Sequence, residues 1–376
     1  MKWSLYMGKV SGIKIFIHWT FLFLISWILI SNFQHGKNLA SALYTISFVL
    51  AVFVCVTLHE LGHALTAKYF KYHTRDITLL PIGGMARMDE IPENPKHELL
   101  VALAGPAVNI LIALLIYPIV YWFGKIPTFF SVVFNTGDTF LFSLLVVNLA
   151  LAIFNLIPAF PMDGGRVFRA ILSFFMSRVQ ATTIASRTGQ VIAVAFFFIG
   201  LFYNPILALI GIFIFIMAQT ENDYVKSKSI LHDYTVKDVM MKKFYSLDAF
   251  DTIDDAVKGL LDVQATDFLV MEKGNVIGTL NRNGIIRGLA EKGKEASVLH
   301  AMNTKVKFLN PDMPLDKIFL HFKSNGSSLF PVLQNDKLIG VVDTNNILEL
   351  IMVKTVSEKS PAHIYKEAIK LEAAVV

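Results

Sequence analysis

Two histidines four residues apart, with a glutamate directly after the first, offer the clearest chemistry in the chain: His59-Glu60-Leu61-Gly62-His63. Residues at positions i and i+4 lie on one face of a helix, so both imidazoles can reach the same ion. Glu60 is placed to take a proton from a water molecule at that ion. The motif therefore predicts a catalytic metal centre, with His59 and His63 as ligands and Glu60 as the general base.

A catalytic zinc site needs three protein ligands and one open position, so one more ligand is expected from another part of the chain. The segment NLIPAFPMDGGR at 155–166 is the best candidate, because its two prolines end a helix and its two glycines allow a close turn. Asp163 lies in this turn and is the predicted third ligand. Without the histidines, the ordinary interpretation of such an aspartate would be an N-cap for the following helix.

These residues belong to the apolar part of the chain. Of the 376 residues, 54% are apolar and only 17% are charged, with a mean hydropathy of +0.55. A soluble domain carries about 25% charged residues. The deficit is confined to residues 1–220, whereas residues 221–376 resemble ordinary soluble sequence. We therefore expect a polytopic α-helical membrane domain followed by a soluble domain.

Six segments approach the roughly 20 apolar residues that cross a bilayer. They are 14–31, 41–63, 99–121, 139–158, 189–203 and 205–220. The last two are short and separated only by Tyr203-Asn204-Pro205, which leaves open a tight hairpin or a bent pair that does not fully cross. The apolar first segment has no small-residue cleavage site after it, which favours an uncleaved span.

Positive charges between these segments predict the orientation. With the N-terminus inside, twelve Lys and Arg fall in inside segments before residue 221 and only two, Lys37 and Lys125, fall outside. The inside charges are Lys2, Lys9, Lys14, Lys68, Lys71, Arg75, Arg87, Lys96, Arg166, Arg169, Arg178 and Arg187. This bias predicts that both termini are cytosolic. It also explains the net charge of +5 without nucleic acid as a partner.

Residues 74–91 are typical of short strands interrupted near Gly83 and Gly84, and residues 8–17 could add an edge strand. We therefore expect a small β-sheet at the membrane surface.

The soluble part contains a duplication with a constant offset of 62 residues. Phe268-Leu269-Val270 aligns with Phe330-Pro331-Val332, and Gly278 aligns with Gly340. Each copy is predicted as strand, helix, strand, strand, helix, and such copies normally pack on each other. The predicted divisions are a membrane domain at 1–220, a linker at 221–230, repeats at 231–292 and 293–352, and a tail at 353–376 with a short helix after Pro361.

The first part of the chain resembles the site-2 protease family of intramembrane zinc metalloproteases. The motifs that carry the resemblance are HELGH at 59–63, GGMAR at 83–87, AGPAVN at 104–109 and NLIPAFPMDGGR at 155–166. The resemblance implies one zinc per chain, held by His59, His63 and Asp163, with Glu60 as base. It also implies that Asn155, Pro158 and Pro161 help to hold an extended substrate, and Asn155 could alternatively stabilise an oxyanion or bond to a neighbouring helix. Gly83 and Gly84 belong to the sheet edge that would receive that substrate.

The same resemblance implies regulated proteolysis in a cell membrane, with a bacterial cytoplasmic membrane expected. The substrate would be a membrane protein, such as a single-span regulator of the anti-sigma type. The residues argue against two other functions. A catalytically idle zinc-binding scaffold would be expected to have lost Glu60 or a ligand, and a transporter would need polar residues along several spans.

The duplicated part resembles a tandem pair of cystathionine-β-synthase (CBS) domains, which often bind adenine nucleotides. The usual ribose-binding acid is replaced by Gly284 in the first copy and by Asn346 in the second, and Asp343 stands where Ser or Thr is common. The nucleotide-binding residues therefore stay unassigned, and a dimerisation or gating role for the pair is an equal alternative.

Overall fold

The computed structural model describes residues 4–81, 83–88, 92–123, 140–262, 265–322 and 329–357. The chain forms two compact units, Met1–Asp223 and Tyr224–Val376. The elements that begin in the first unit are β1 (Ser4–Val10), β2 (Ile13–His18), α1 (Phe21–Gln34), α2 (Leu39–Tyr69), β3 (Thr74–Leu80), β4 (Gly83–Met88), α3 (Pro95–Phe123), α4 (Phe140–Asn155), α5 (Asp163–Leu172), α6 (Arg178–Tyr203) and α7 (Pro205–His232).

Six of these helices are apolar, which confirms the prediction of a polytopic membrane domain. Within the described residues, α2, α3, α6 and α7 are long and apolar enough to cross a membrane, whereas α1 and α4 have only 14 and 16 residues. The residues predicted as linker, 221–230, lie within α7.

The boundaries of two predicted spans were wrong. The first span was placed at 14–31, but its beginning belongs to strand β2, because Ile13, Ile15 and Ile17 alternate along one face of a strand. The fifth span was placed at 189–203, but α6 begins at Arg178. Ser177 caps this helix by accepting a hydrogen bond from Gln180 N, and hydroxyl groups in its first turns bond back to carbonyls, so its polar start is compatible with a helix.

The predicted surface sheet has four strands in the order β1-β2-β3-β4, with β2 and β3 parallel and the other pairs antiparallel. One face of the sheet packs on α2 through a buried cluster that contains Ile13, Ile77 and Leu79 from the strands and Leu61 and Ala64 from the helix. Leu61 lies inside the HELGH motif. The sheet is therefore fixed beside the candidate metal ligands, with β4 at its edge.

Helices α6 and α7 are separated by Asn204 alone and run antiparallel. Ser186 Oγ donates to the Ala218 carbonyl at 2.5 Å, and Thr183 Oγ1 donates to Asn222 Oδ1 at 2.9 Å. At the turn, Gly200 packs against the backbone of Ala208 with no room for a side chain. Of the two alternatives for these segments, the structure therefore has the tight hairpin. Each of its helices is long enough to cross a bilayer.

The second unit contains the predicted pair of α/β repeats. After α8 (Val236–Val239), the first copy contains β5 (Ser246–Asp248), α9 (Ile253–Asp262), β6 (Asp267–Glu272), β7 (Asn275–Asn281) and α10 (Arg282–Lys292). The second contains α11 (Leu315–Phe322), β8 (Leu329–Gln334), β9 (Lys337–Asp343) and α12 (Thr344–Ser357).

The first strand of the second copy is reduced to one bridge, in which Leu309 pairs with Val332 just as Leu247 pairs with Val270 in the first copy. The predicted tail began at residue 353, but α12 continues to Ser357, where the described part of the chain ends; the helix expected after Pro361 lies outside it.

Candidate metal centre

Three donor atoms from two distant segments converge at the end of α2. The Nε2 atoms of His59 and His63 lie 3.1 Å apart, and Asp163 Oδ2 lies 3.2 Å from the first and 3.1 Å from the second. All three side chains are buried. Ligands bonded to zinc at about 2.0–2.1 Å in a tetrahedron are separated by roughly 3.3 Å. The triangle of donor atoms therefore fits a single zinc ion.

The ring nitrogens that face away from this point are both hydrogen-bonded. His59 Nδ1 donates to Asn109 Oδ1 at 2.9 Å, and His63 Nδ1 donates to the backbone carbonyl of Val101 at 2.7 Å. A proton on Nδ1 leaves the lone pair on Nε2 free for a metal. Helix α3, which carries both acceptors, thus orients both imidazoles.

Gly105 brings α3 against the two histidines. A Cβ atom at this position would lie 2.6 Å from His59 Nε2 and closer still to His63 Nε2. Gly62, between the two histidines, would in turn place a Cβ 2.9 Å from the carbonyl oxygen of Ala104. Both glycines are required because the two helix backbones touch where the imidazoles lie.

Asp163 is the first residue of α5, and the N-cap position belongs to Met162. The N-cap alternative for Asp163 is therefore wrong in this structure. A Cβ on Gly164 would overlap the carbonyl of Ile157, and one on Gly165 would lie 2.7 Å from Phe160 N. The glycine pair lets α5 begin directly against the preceding loop, which brings the carboxylate to the histidines.

A buried ionic network fixes α5 from its other end. The Arg169 guanidinium is fully buried, donates to Glu98 Oε1 from Nε at 2.9 Å, donates to Glu221 Oε1 at 2.5 Å, and lies 4.9 Å from the ring centre of Phe160. Arg178 donates to the second oxygen of Glu98 at 3.0 Å. The network joins α5, which begins with Asp163, to α3 and α7.

Replacing Arg169 with Met is expected to destabilise the protein by about 3 kcal/mol, because a buried carboxylate loses its main partner. The change should appear as a lowered midpoint of thermal unfolding in detergent. The exposed Arg187 on α6 provides the matched control, since Arg187→Met removes the same charge without uncovering a buried acid. Equal midpoints for the two variants would contradict the assigned role of the network.

Glu60 lies beside the edge of the sheet. A Cβ on Gly84 would lie 2.6 Å from Glu60 Cγ and 3.2 Å from Val56 Cγ1, so strand β4 crosses directly over the glutamate. Gly83, the first residue of β4, has a φ of +139° and open space around its Cα. The predicted base is thus half-buried between the ligand-bearing helix and an edge strand.

The remaining predicted site residues follow α4. Asn155 ends that helix, and Pro158 and Pro161 are exposed in the loop that leads to Asp163, with a cis peptide bond between Phe160 and Pro161. Their contact with substrate stays a prediction. No role at the metal centre was predicted for Asn109, Val101 or Gly105, although the motif AGPAVN places Gly105 and Asn109 four residues apart on one helical face.

In the second unit, Gly284 lines a cavity of about 270 Å³ between the end of β7 and the residues that follow the 3-10 turn Val298–His300. Thr279, Asn281 and Arg287 also line it. A neighbouring cavity of about 310 Å³ is lined by Lys305 and Lys307. Asn346 accepts a hydrogen bond from Asp343 N at 3.3 Å and so contributes to the start of α12.

Comparison with known proteins agrees with the division of the chain into a membrane domain and a pair of repeats. The model of peptidase family M50 matches residues 47–140 and 130–199, and the CBS domain model matches residues 236–291 and 296–353. The zinc metalloprotease MJ0392 of Methanocaldococcus jannaschii is 32% identical over 361 residues, which cover 96% of this chain and 99% of the relative. Rip3 of Mycobacterium tuberculosis is 24% identical over 394 residues, covering 96% of each chain.

Among solved structures, a site-2 protease from Methanocaldococcus jannaschii is 37% identical, with a TM-score of 0.43, and the match covers 58% of this chain and 95% of that one. The extent of the match to the archaeal metalloprotease, together with the family model, decides the assignment: the chain belongs to peptidase family M50, in which it is a zinc metalloprotease of the site-2 protease type that carries a tandem pair of CBS domains.

Proposed function

We propose that this metalloprotease hydrolyses a peptide bond in or next to a transmembrane segment of a membrane-protein substrate. The observation that carries the proposal is the position of the donor triangle: His59, His63 and Asp163 are buried among apolar helices, with Glu60 alongside and an edge strand across it. Charged groups at such a place are costly and usually functional. Both the ligand set and the base are part of the proposal.

The position of strand β4 at the sheet edge favours a substrate that is extended where it is cut. A substrate helix protects its peptide bonds with its own hydrogen bonds, so part of it must unwind before attack. An edge strand can pair with an unwound segment through backbone hydrogen bonds. Gly83 and Gly84 present no side chains there, and we propose that Asn155, Pro158 and Pro161 hold the same segment from the loop that leads to Asp163.

The chemistry divides between the metal and the protein. Zinc supplies Lewis acidity, which polarises a carbonyl and makes water reactive at neutral pH. Glu60 takes the proton of the attacking water and delivers it to the leaving amine. Asn109 and the Val101 carbonyl keep the imidazoles in their ligand orientation. The idle-scaffold alternative has no support, since Glu60 and all three donors are in place.

We further propose that the termini are cytosolic, that the enzyme resides in the cell membrane, and that its substrate is a single-span regulator of the anti-sigma type. The charge bias of the connecting segments supports the orientation. His59 and His63 lie in the last third of α2, Asp163 follows the end of α4, and the charge bias places the ends of both helices on the cytosolic side, which supports cleavage close to the cytosolic end of the substrate.

The test is zinc-dependent cleavage of a single-span model protein by the purified full-length chain. We expect about one zinc per chain, loss of cleavage on zinc removal by a chelator, and recovery on adding zinc back. A matched substrate with a Leu-rich, strongly helical span should be cut more slowly. Cleavage that is indifferent to zinc, or equal for the two spans, would contradict the proposal.

We also propose that the CBS pair modulates cleavage by binding an adenine nucleotide, with homodimerisation through the pair as the alternative mode of control. The two adjoining cavities support a ligand with phosphate groups, because Arg287, Lys305 and Lys307 line them.

Arg287→Gln is expected to weaken AMP or ATP binding about tenfold, or about 1.4 kcal/mol, since a charged hydrogen bond to phosphate is replaced by a neutral one. Isothermal titration would measure it on the full chain. Arg282→Gln removes an exposed charge from the same helix outside the cavity lining and serves as control. Equal affinities for wild type and Arg287→Gln would place the nucleotide elsewhere.

A further inference from the structure

Asn109 on α3 is completely buried, although it carries an amide. Its Oδ1 atom accepts the hydrogen bond from His59 Nδ1, while its Nδ2 atom, within the described part of the chain, is buried without a hydrogen-bond partner. An unpaired buried donor is unfavourable, and an apolar side chain of similar size would avoid it. The presence of an amide at this position is therefore explained by the hydrogen bond that its oxygen accepts from His59.

The two ligand histidines are oriented by different kinds of acceptor. His63 Nδ1 faces the Val101 backbone carbonyl, which can only accept, so its Nδ1 must carry the proton. His59 Nδ1 faces an amide, which offers either an oxygen or an NH₂ group. With the oxygen forward, His59 keeps its Nε2 lone pair for zinc. With the NH₂ group forward, the proton of a neutral imidazole would move to Nε2 and block that ligand.

We propose that Asn109 is the positioning residue that sets the zinc affinity of the site, by fixing the tautomer of His59. Gly105, one helical turn earlier, lets both buried imidazoles lie directly against α3, which carries the acceptor for each ring. His63 is held in its ligand tautomer by the backbone, whereas the ligand state of His59 depends on one side chain. Mutation of a residue that forms a hydrogen bond to a metal ligand typically lowers metal affinity by about 10- to 100-fold.

The experiment measures zinc affinity of the full-length protein in detergent by competition with a chelator. Asn109→Leu removes the acceptor at similar volume and should weaken zinc binding about 10- to 100-fold. Asn109→Asp keeps the shape and leaves only acceptor atoms, so it should bind zinc at least as tightly as wild type. Cobalt bound to Asn109→Asp should give the visible absorption bands of the wild type.

Asn148 on α4 provides the matched control. It is also a completely buried asparagine among apolar helices, but its amide donates to the Leu144 carbonyl at 2.8 Å and to Cys55 Sγ at 3.4 Å. Asn148→Leu should leave zinc affinity unchanged. Wild-type affinity in Asn109→Leu, or equal weakening in the Leu and Asp variants of Asn109, would overturn the proposal.

The inference rests on the proposed ligand set, and His59→Ala tests that set separately, because it should lose zinc altogether. If His59→Ala retains zinc, the ligand assignment fails. If it loses zinc while Asn109→Leu does not, only the tautomer proposal fails. Should Asn109→Leu not fold, Asn109→Ala removes the oxygen without adding volume, and wild-type affinity in that variant would equally overturn the proposal.

Discussion

Replacing Glu60 with Gln is expected to lower the rate of cleavage by about 10²- to 10⁴-fold while zinc stays bound. Glutamine keeps the size of the side chain but cannot take a proton from water. His59, His63 and Asp163 remain in place as donors, so zinc content should stay at about one per chain. The measurement combines initial rates on the single-span substrate with metal analysis of the same preparation.

The matched control for this prediction is Glu93→Gln, which makes the same exchange at a glutamate distant in sequence from the motif. It should cut at the wild-type rate. Full activity in Glu60→Gln would show that another group accepts the proton. Loss of zinc in Glu60→Gln would show instead that Glu60 supports the metal, and its role as base would then need a new test.

Gly105→Ala is the second large expected effect, although it adds only one methyl group. The new Cβ would lie 2.6 Å from His59 Nε2 and nearer to His63 Nε2, and both rings are buried with their other nitrogens already bonded. The imidazoles must therefore move away from the point where the donors converge. We expect zinc affinity to fall by at least about 100-fold, the upper end of what outer-shell changes produce.

Gly200→Ala in α6 is the control for a methyl group that overlaps a neighbouring membrane helix. Its Cβ would overlap the backbone nitrogen of Ala208 at the turn between α6 and α7, in contact with none of the residues that hold the donor atoms. Zinc binding should persist there with little change. If Gly105→Ala also retained tight zinc, α3 would have to be displaced from α2 easily, contrary to the close contacts at Gly62.

Local sequence patterns were sufficient to predict the candidate metal ligands, because each pattern lies within one short segment of the chain. The i, i+4 pair of histidines shares a face on any helix, and the prolines and glycines of residues 155–166 signalled a broken helix end that could bring Asp163 to them. The structure places these three side chains together. A small sheet and the duplicated soluble unit were likewise predicted, from strand alternation and from a constant offset. Residues 8–17, however, were expected to form one edge strand, and they form parts of β1 and β2, of which β2 lies inside the sheet.

Features that depend on how separate helices cross could not be predicted in the same way. Asn109 and Gly105 act on the histidines only because α3 crosses α2 at Gly62, and although Gly105 permits a close helix approach, the sequence does not say which helix it meets. Arg169 was counted among the charges that orient the chain, yet it is fully buried between Glu98 and Glu221. Its partners come from two other helices, so its pairing is visible only after folding.

Hydropathy also could not separate the first span from the strand before it. Residues 13–18 include three isoleucines and a phenylalanine and lead almost directly into the apolar α1, and their alternation became meaningful only once β1 and β3 supplied partners on both sides. The reduced first strand of the second repeat shows the converse, since a shared offset predicted a strand where only the Leu309–Val332 bridge remains.

The donor atoms come from positions far apart in the chain, and His63 and Asp163 are separated by 100 residues. A metal bound by both acts as a cross-link that closes the long loop containing β3, β4, α3 and α4. Closing a loop of this length removes much conformational freedom from the unfolded chain. Zinc held by the proposed ligands would therefore help to keep this domain folded as well as supply its chemistry, so a cell short of zinc would hold a protein that is both inactive and more readily degraded.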